Sequence, residues 1–245
     1  MRNSLFGAVL LAGAVAGSPT FAGPSSAVFA NADGSLPGNV VLNLTTAGGA
    51  TSIGNRGSGN YDETGAHDPA NAFYLAGVCG SSDACLGDDL ARRDFFTFDL
   101  SGITSPVTAA TLSIFNPDAT VLPGSGLPVA PGYISDAASL TYSLYKQAAS
   151  AATIESSTQN LGIYAGLGSG NLLGSVSVSA ADNGRFVDLA LDAQAIADLN
   201  AAFGGLFAVG GAVSPAVAAV PEPATLSLMV LGLAGLATTR RRRFS

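Results

Sequence analysis

The chain has 245 residues, 48% hydrophobic and 11% charged, with 31 glycines, 12 prolines and a formal net charge of −7. That much apolar material builds a core and excludes global disorder, and the length suits one domain of ordinary size once both ends are set apart. Only ten residues are basic, four of them consecutive near the C-terminus, so the body offers no cationic surface to replace phosphate counterions, which excludes nucleic-acid binding.

Residues 1–22 follow the pattern of a secretory signal. Arg2 supplies the positive start, Leu5 to Ala16 form an apolar run, and Pro19 breaks the helix. Thr20-Phe21-Ala22 then places small residues where signal peptidase reads, with cleavage after Ala22.

From 23 to 214 the pattern is short strands of period two between clusters of Gly, Pro, Ser, Asn and Asp. The strand candidates are Val40–Leu44, Ala72–Leu75, Asp94–Leu100, Val107–Phe115, Leu140–Tyr145, Val176–Val178, Val187–Leu191 and Leu206–Val209. In Asp94–Leu100, Phe96, Phe98 and Leu100 share one face, with Phe95, Thr97 and Asp99 on the other. In Val107–Phe115, Leu112 and Ile114 point inward and Thr111 and Ser113 outward. One helix is expected, Ala193–Phe203, capped by Asp192, striped by Ile196, Leu199 and Phe203, and ended by Gly204-Gly205. Together these predict an all-β fold, an antiparallel β-sandwich of jelly-roll type with one short helix near the end of the domain. No fixed repeat supports a β-helix.

Cys79 and Cys85 enclose Gly80 to Ala84, and in an exported chain such a close pair is expected to form a disulfide that pins its loop. The spacing is not Cys-x-x-Cys, and the only histidine, His67, leaves a metal site short of soft ligands. Residues 62–99 hold eight of the 17 acids, and Asp83, Asp88 and Asp89 beside the cysteines are candidate calcium ligands; the alternative is a solvated acidic loop. No Gly-x-Ser-x-Gly elbow or Ser/His/Asp set stands out, so the chain is expected not to be an enzyme and to need no cofactor, calcium aside. Tyrosines 61, 74, 133, 142, 145 and 164 are possible sugar platforms, although Tyr142 and Tyr145 fall on opposite faces of one strand. The stretch Asn116 to Ser139, with four prolines, is long for a loop in a compact domain.

After a linker over 215–220 comes Pro221-Glu222-Pro223, an apolar run over about 224–239, and Arg240, Arg241, Arg242 and Arg243. The run is somewhat short of the roughly 20 residues that span a bilayer, a shortfall that snorkelling arginines can cover. It predicts a transmembrane helix whose arginine stop stays in the cytoplasm, which leaves the body outside the inner membrane. Two prolines keep the preceding segment extended at the membrane surface, where an enzyme can grip it. With both ends removed, five basic residues face 16 or 17 acids and the net charge is about −11 or −12.

Pro221-Glu222-Pro223, the apolar run and the arginines resemble the PEP-CTERM sorting domain of Gram-negative bacteria, over about the last tenth of the chain. That resemblance implies handling by an exosortase, a membrane transpeptidase, with the Pro-Glu-Pro as recognition motif, and association with exopolysaccharide and biofilm. Residues 93–211 are also similar to a module of exported PEP-CTERM proteins, through Arg93-Asp94-Phe95-Phe96-Thr97-Phe98-Asp99-Leu100-Ser101-Gly102-Ile103 and Ala197-Asp198-Leu199-Asn200-Ala201-Ala202-Phe203-Gly204-Gly205. A more distant similarity is to β-sandwich modules of surface proteins, some of which bind carbohydrate. The expected protein is a non-catalytic surface or extracellular-matrix component, anchored transiently in the inner membrane, with signal peptidase and exosortase as processing partners and exopolysaccharide as a further one. The alternatives are a carbohydrate- or calcium-binding module and, last, a secreted hydrolase.

Overall fold

The computed structural model describes residues 26–78, 90–118 and 131–215. Their strands are β1 (Ala27–Asp33), β2 (Val40–Thr46), β3 (Gly49–Gly54), β4 (Gly57–Asp62), β5 (Phe73–Val78), β6 (Ala91–Asp99), β7 (Val107–Asn116), β8 (Ile134–Ser135), β9 (Leu140–Lys146), β10 (Leu172–Val178), β11 (Arg185–Ala190) and β12 (Leu206–Pro215). Three short helices join them: α1 (Ala151–Ser156), α2 (Leu161–Leu167) and α3 (Ala193–Ala201). The fold is the expected all-β antiparallel sandwich. Its eight-stranded sheet runs β10-β9-β12-β6-β5-β1-β8, with β4 also paired to β6, and its four-stranded sheet runs β11-β7-β2-β3.

The small sheet lies across the large one. Near the start of β7, the Ala110 carbonyl accepts from Leu191 N at 3.0 Å, and Asp192 N donates to Leu173 of β10 at 2.8 Å. At the far end of β7, the Tyr74 hydroxyl of β5 donates to the Phe115 carbonyl at 2.8 Å, and Asn116 Oδ1 accepts from Ala30 N of β1 at 3.2 Å. Ala30 has φ 57° at a bulge in β1, and the Asn116 contact holds that uncommon conformation.

Leu42, Leu44, Leu112, Ile114, Val187 and Leu189 of the small sheet meet Phe96, Phe98, Leu140, Tyr142, Leu144 and Val209 of the large one in the main core. The period-two reading of β6 therefore holds for Phe96 and Phe98. Its opposite face is buried too: Phe95 packs with Tyr61, Ile154, Ile163 and Leu167, under α1 and α2. A central strand covered on both sides is why Phe95 and Thr97 are as buried as their neighbours.

Helix α3 begins where expected, with the Asp192 carboxylate accepting from Ala195 N at 2.8 Å, and Ala195 and Leu199 are its fully buried apolar residues. The expectation of a single helix is corrected by α1 and α2. Ser150 caps α1 by accepting from Thr153 N, and Asn160 caps α2 by accepting from Ile163 N. Among the described residues no helix is long and apolar enough to cross a membrane. The signal segment 1–22 and the span 224–239 lie outside the described residues.

Candidate functional site

Among the described residues, no helix lies over the face of the large sheet beyond α2. The outward positions there are small: Gly77 on β5, Ala91 on β6, and Ala212 and Ser214 on β12, with Ser143 on β9. Where no large side chain rises from the strands, a groove of about 390 Å³ remains. Tyr145, Tyr164, Arg92 and Arg93 line it.

Arg93 is held firmly. Its Nη1 donates to the carbonyls of Tyr164 at 2.8 Å and Ala165 at 3.0 Å, near the C-terminal end of α2. Its guanidinium carbon lies 4.4 Å from the centroid of the Tyr164 ring. Gly168 makes the room, since a Cβ there would fall 2.4 Å from Arg93 Nε. Tyr145 is half-buried at an outward position of β9, while its neighbours Leu144 and Tyr142 alternate into the core. Of the six tyrosines, 61, 74, 133 and 142 are buried, which corrects their candidacy as sugar platforms and leaves Tyr145 and Tyr164.

A second cleft of about 310 Å³ shares Arg92 and is lined by Asn60, Asp62, His67, Asp68 and Asn71. Asp62 organises its wall: Oδ1 accepts from Thr64 N, Thr64 Oγ1 and Ala66 N. Burial pushes the Asp62 carboxyl up, but these bonds together with Arg92 outweigh it and hold the group below the usual carboxylate range. His67 stacks on Tyr61 at 4.6 Å and meets Phe95 edge-on at 5.2 Å. Its Nδ1 is 2.9 Å from the Asn60 carbonyl; a carbonyl only accepts, so Nδ1 carries the proton. Burial lowers its pKa, against the backbone of Asn60 and of Glu155 and the Asp68 charge, so the ring is neutral near pH 7. His67 Nε2 is buried with no hydrogen-bond partner, and no described hydroxyl donates to the ring.

Among the described residues the most perturbed carboxyl sits elsewhere. Asp94 on β6 is fully buried in the sandwich, and the Tyr142 hydroxyl donates to its Oδ1 at 2.9 Å. Burial raises its pKa to about 7 against that bond and the Gly211 amide. A Cβ at Gly211 would fall 1.9 Å from Tyr142 Oη and 2.1 Å from Asp94 Oδ1, so glycine is what lets the pair meet over β12. Asp94 lines neither cleft. Sequence patterning places it on a strand face and carries no signal of the pairing, which depends on three strands meeting.

Ala22, Cys79, Asp83, Cys85, Asp88, Asp89, Pro221, Glu222, Pro223 and Arg240 to Arg243 all lie outside the described residues. The strands that flank the cysteine segment are described, and there Val78 of β5 pairs with Ala91 of β6. Among the described residues no group of three or more His, Cys, Asp or Glu could hold a metal ion.

The family model described as the PEP-CTERM protein-sorting motif matches residues 219–243. No curated protein and no solved structure matches the chain. The chain is thus an exosortase-targeted, exported protein with a transient C-terminal membrane signal.

Proposed function

We propose that this chain, a PEP-CTERM sorting-motif protein, is a non-catalytic component of the cell surface or extracellular matrix. Signal peptidase removes residues 1–22, the apolar segment 224–239 holds the body at the inner membrane, and exosortase then acts at Pro221-Glu222-Pro223. The observation that carries this is the motif match over 219–243, which follows a β-sandwich whose last described strand runs to Pro215. In that setting exopolysaccharide is the partner of the released body, and Cys79 and Cys85 are joined in the oxidising compartment. Mass spectrometry of the protein from cells with active exosortase should find no peptide from Arg240–Ser245 and an N-terminus at Gly23. Recovery of an intact C-terminus would overturn the processing scheme.

A specific observation favours a second reading, in which the body binds carbohydrate. The groove beside α2 combines Tyr145 with Arg92, Arg93, Ser143 and Ser214 over a floor of small residues, and a sugar ring stacks on an aromatic face while hydroxyls and guanidinium groups take its polar edge. Tyr145→Ala should abolish retention on the host's own exopolysaccharide while leaving the melting temperature within a few degrees. Retention equal to wild type would remove the groove from consideration. Calcium enters this reading through Asp83, Asp88 and Asp89, and a chelator control in the same assay tests it.

A further inference from the structure

The directions of four neighbouring strands give the sandwich two different ends. β12 finishes beside the start of β6: Gly211 pairs with Asp94, and the strand runs on to Pro215. β6 starts beside the finish of β5, where Ala91 pairs with Val78. β5 finishes beside the start of β1, where Val78 pairs with Ala27. The contact is close, since a Cβ on Gly77 would meet both the Ala27 carbonyl and the Val213 side chain. Ala27 and Ser214 accordingly line one groove. The first and last strands among the described residues thus open on the same end. The other end, where β6 stops and β12 starts, is closed by turns: Leu100 N donates to the Gly205 carbonyl at 2.9 Å, and Ile103 N to Leu100 at 3.0 Å.

We propose that the end bearing Ala27 and Ser214 faces the bilayer while the chain is tethered by its sorting segment, and that the Leu100–Gly205 end points away. This rests on the sorting-motif reading. The occupant of that end is the lipid headgroup surface. Residues 216–223, fully extended, span at most about 28 Å between the end of β12 and the apolar run. The ten residues of β12 themselves extend about 30 Å. A body on so short a tether keeps its exit end within reach of the headgroups and its far end a domain's length beyond. Before signal cleavage a second tether leaves from the same end, because only residues 23–26 separate Ala22 from Ala27 and they reach about 14 Å. Both apolar segments can then sit in the membrane together with no strand pulled from a sheet, and both cuts fall on one side of the body.

The test uses the full chain in cells lacking exosortase, with a photo-crosslinking side chain placed at one exposed position at a time. Ser214 and Ala138 lie at the exit end, Ala138 being two residues before Leu140, which pairs with Pro215. Ser101 and Thr104 lie at the far end, beyond Asp99, which pairs with Leu206. Lipid adducts are expected from Ser214 and Ala138 and are lost at Ser101 and Thr104. Inserting about 20 Gly/Ser residues after Pro215 gives a tether with an r.m.s. reach of about 25 Å added, and should reduce the difference between the two ends. Equal adducts from both ends of the unextended, membrane-bound chain overturn the orientation alone. A chain recovered in the soluble fraction overturns the tether, and with it the sorting reading.

Discussion

Replacing Asp94 by Asn should remove a pH dependence from the stability of the whole domain. The Asp94 carboxyl is completely buried in the main core, receives one hydrogen bond from Tyr142, and leaves Oδ2 without a partner. Tyr142 and Tyr74 face it from β9 and β5, and neither ionises in the range considered because both are raised above 10.0. Burial lifts the carboxyl from 3.8 in the unfolded chain to about 7 in the folded one. The folded state therefore binds the proton more tightly. Its contribution is fully present below about pH 4, is lost as pH rises through about 7, and stays lost above that. A gap of about 3 pH units at 1.36 kcal/mol per unit sets an upper bound of about 4 kcal/mol on the change.

Urea midpoints of wild type and Asp94→Asn, measured from pH 4 to pH 8, separate this group from the rest. Asp62 and His67 both titrate toward lower stability as pH falls, because both have folded pKa values below their ordinary ones. They do so equally in the two proteins and cancel in the difference. Asn has a constant cost of its own, since its amide N–H groups gain no acceptor, so the slope and not the offset is diagnostic. Wild type should lose ground to the variant between pH 4 and about pH 7 and then level off toward pH 8, with unchanged m-values. A wild-type-minus-variant difference that stays flat across that range refutes the assignment of a near-neutral buried carboxyl.

Gly211→Ala should destabilise the domain by about 2–3 kcal/mol, because the new Cβ drives Tyr142 and Asp94 apart; Tyr142→Phe should then soften that loss in the double variant, read by the same midpoints. Arg93→Ala removes both carbonyl contacts at the end of α2 and the stacking on Tyr164, and should cost about 1–2 kcal/mol, with faster hydrogen exchange over residues 161–168 than elsewhere. If Cys79 and Cys85 are joined in the exported protein, reduction should lower stability by about 2 kcal/mol and expose two alkylatable thiols; alkylation without reductant refutes the pairing.

Periodicity finds the strands that have one dry face and one wetter one, such as Leu140-Thr141-Tyr142-Ser143-Leu144, whose burial alternates as written. It fails where that contrast vanishes. β3, Gly49–Gly54, is an edge strand with hardly a buried residue, and β4, Gly57–Asp62, is rich in glycine because Phe95 and His67 lie against Gly59. Helices α1 and α2 have six and seven residues, below any window in which a 3.6 period can be counted. Their caps, Ser150 and Asn160, were the available signal, each followed three residues later by the amide it accepts from.

The sorting tag and the groove differ in legibility for one physical reason. A membrane address is read by enzymes and lipid along an extended or helical segment, so its chemistry is written consecutively, as in Pro221-Glu222-Pro223 and the four arginines. The groove is written across strands: Gly77, Ala91, Arg93, Ser143, Tyr145, Ala212 and Ser214 come from four different strands, and Tyr164 from a helix. Each of those residues alone looks like an ordinary outward position. What makes them a site is that small residues on three adjacent strands coincide at one height of the sheet, a coincidence set by the register Val78–Ala91 and Gly211–Asp94. A slip of one residue in either pairing would turn Ala91 or Ala212 to the other face and close the groove, so the same register that buries Asp94 under Gly211 also holds the groove open.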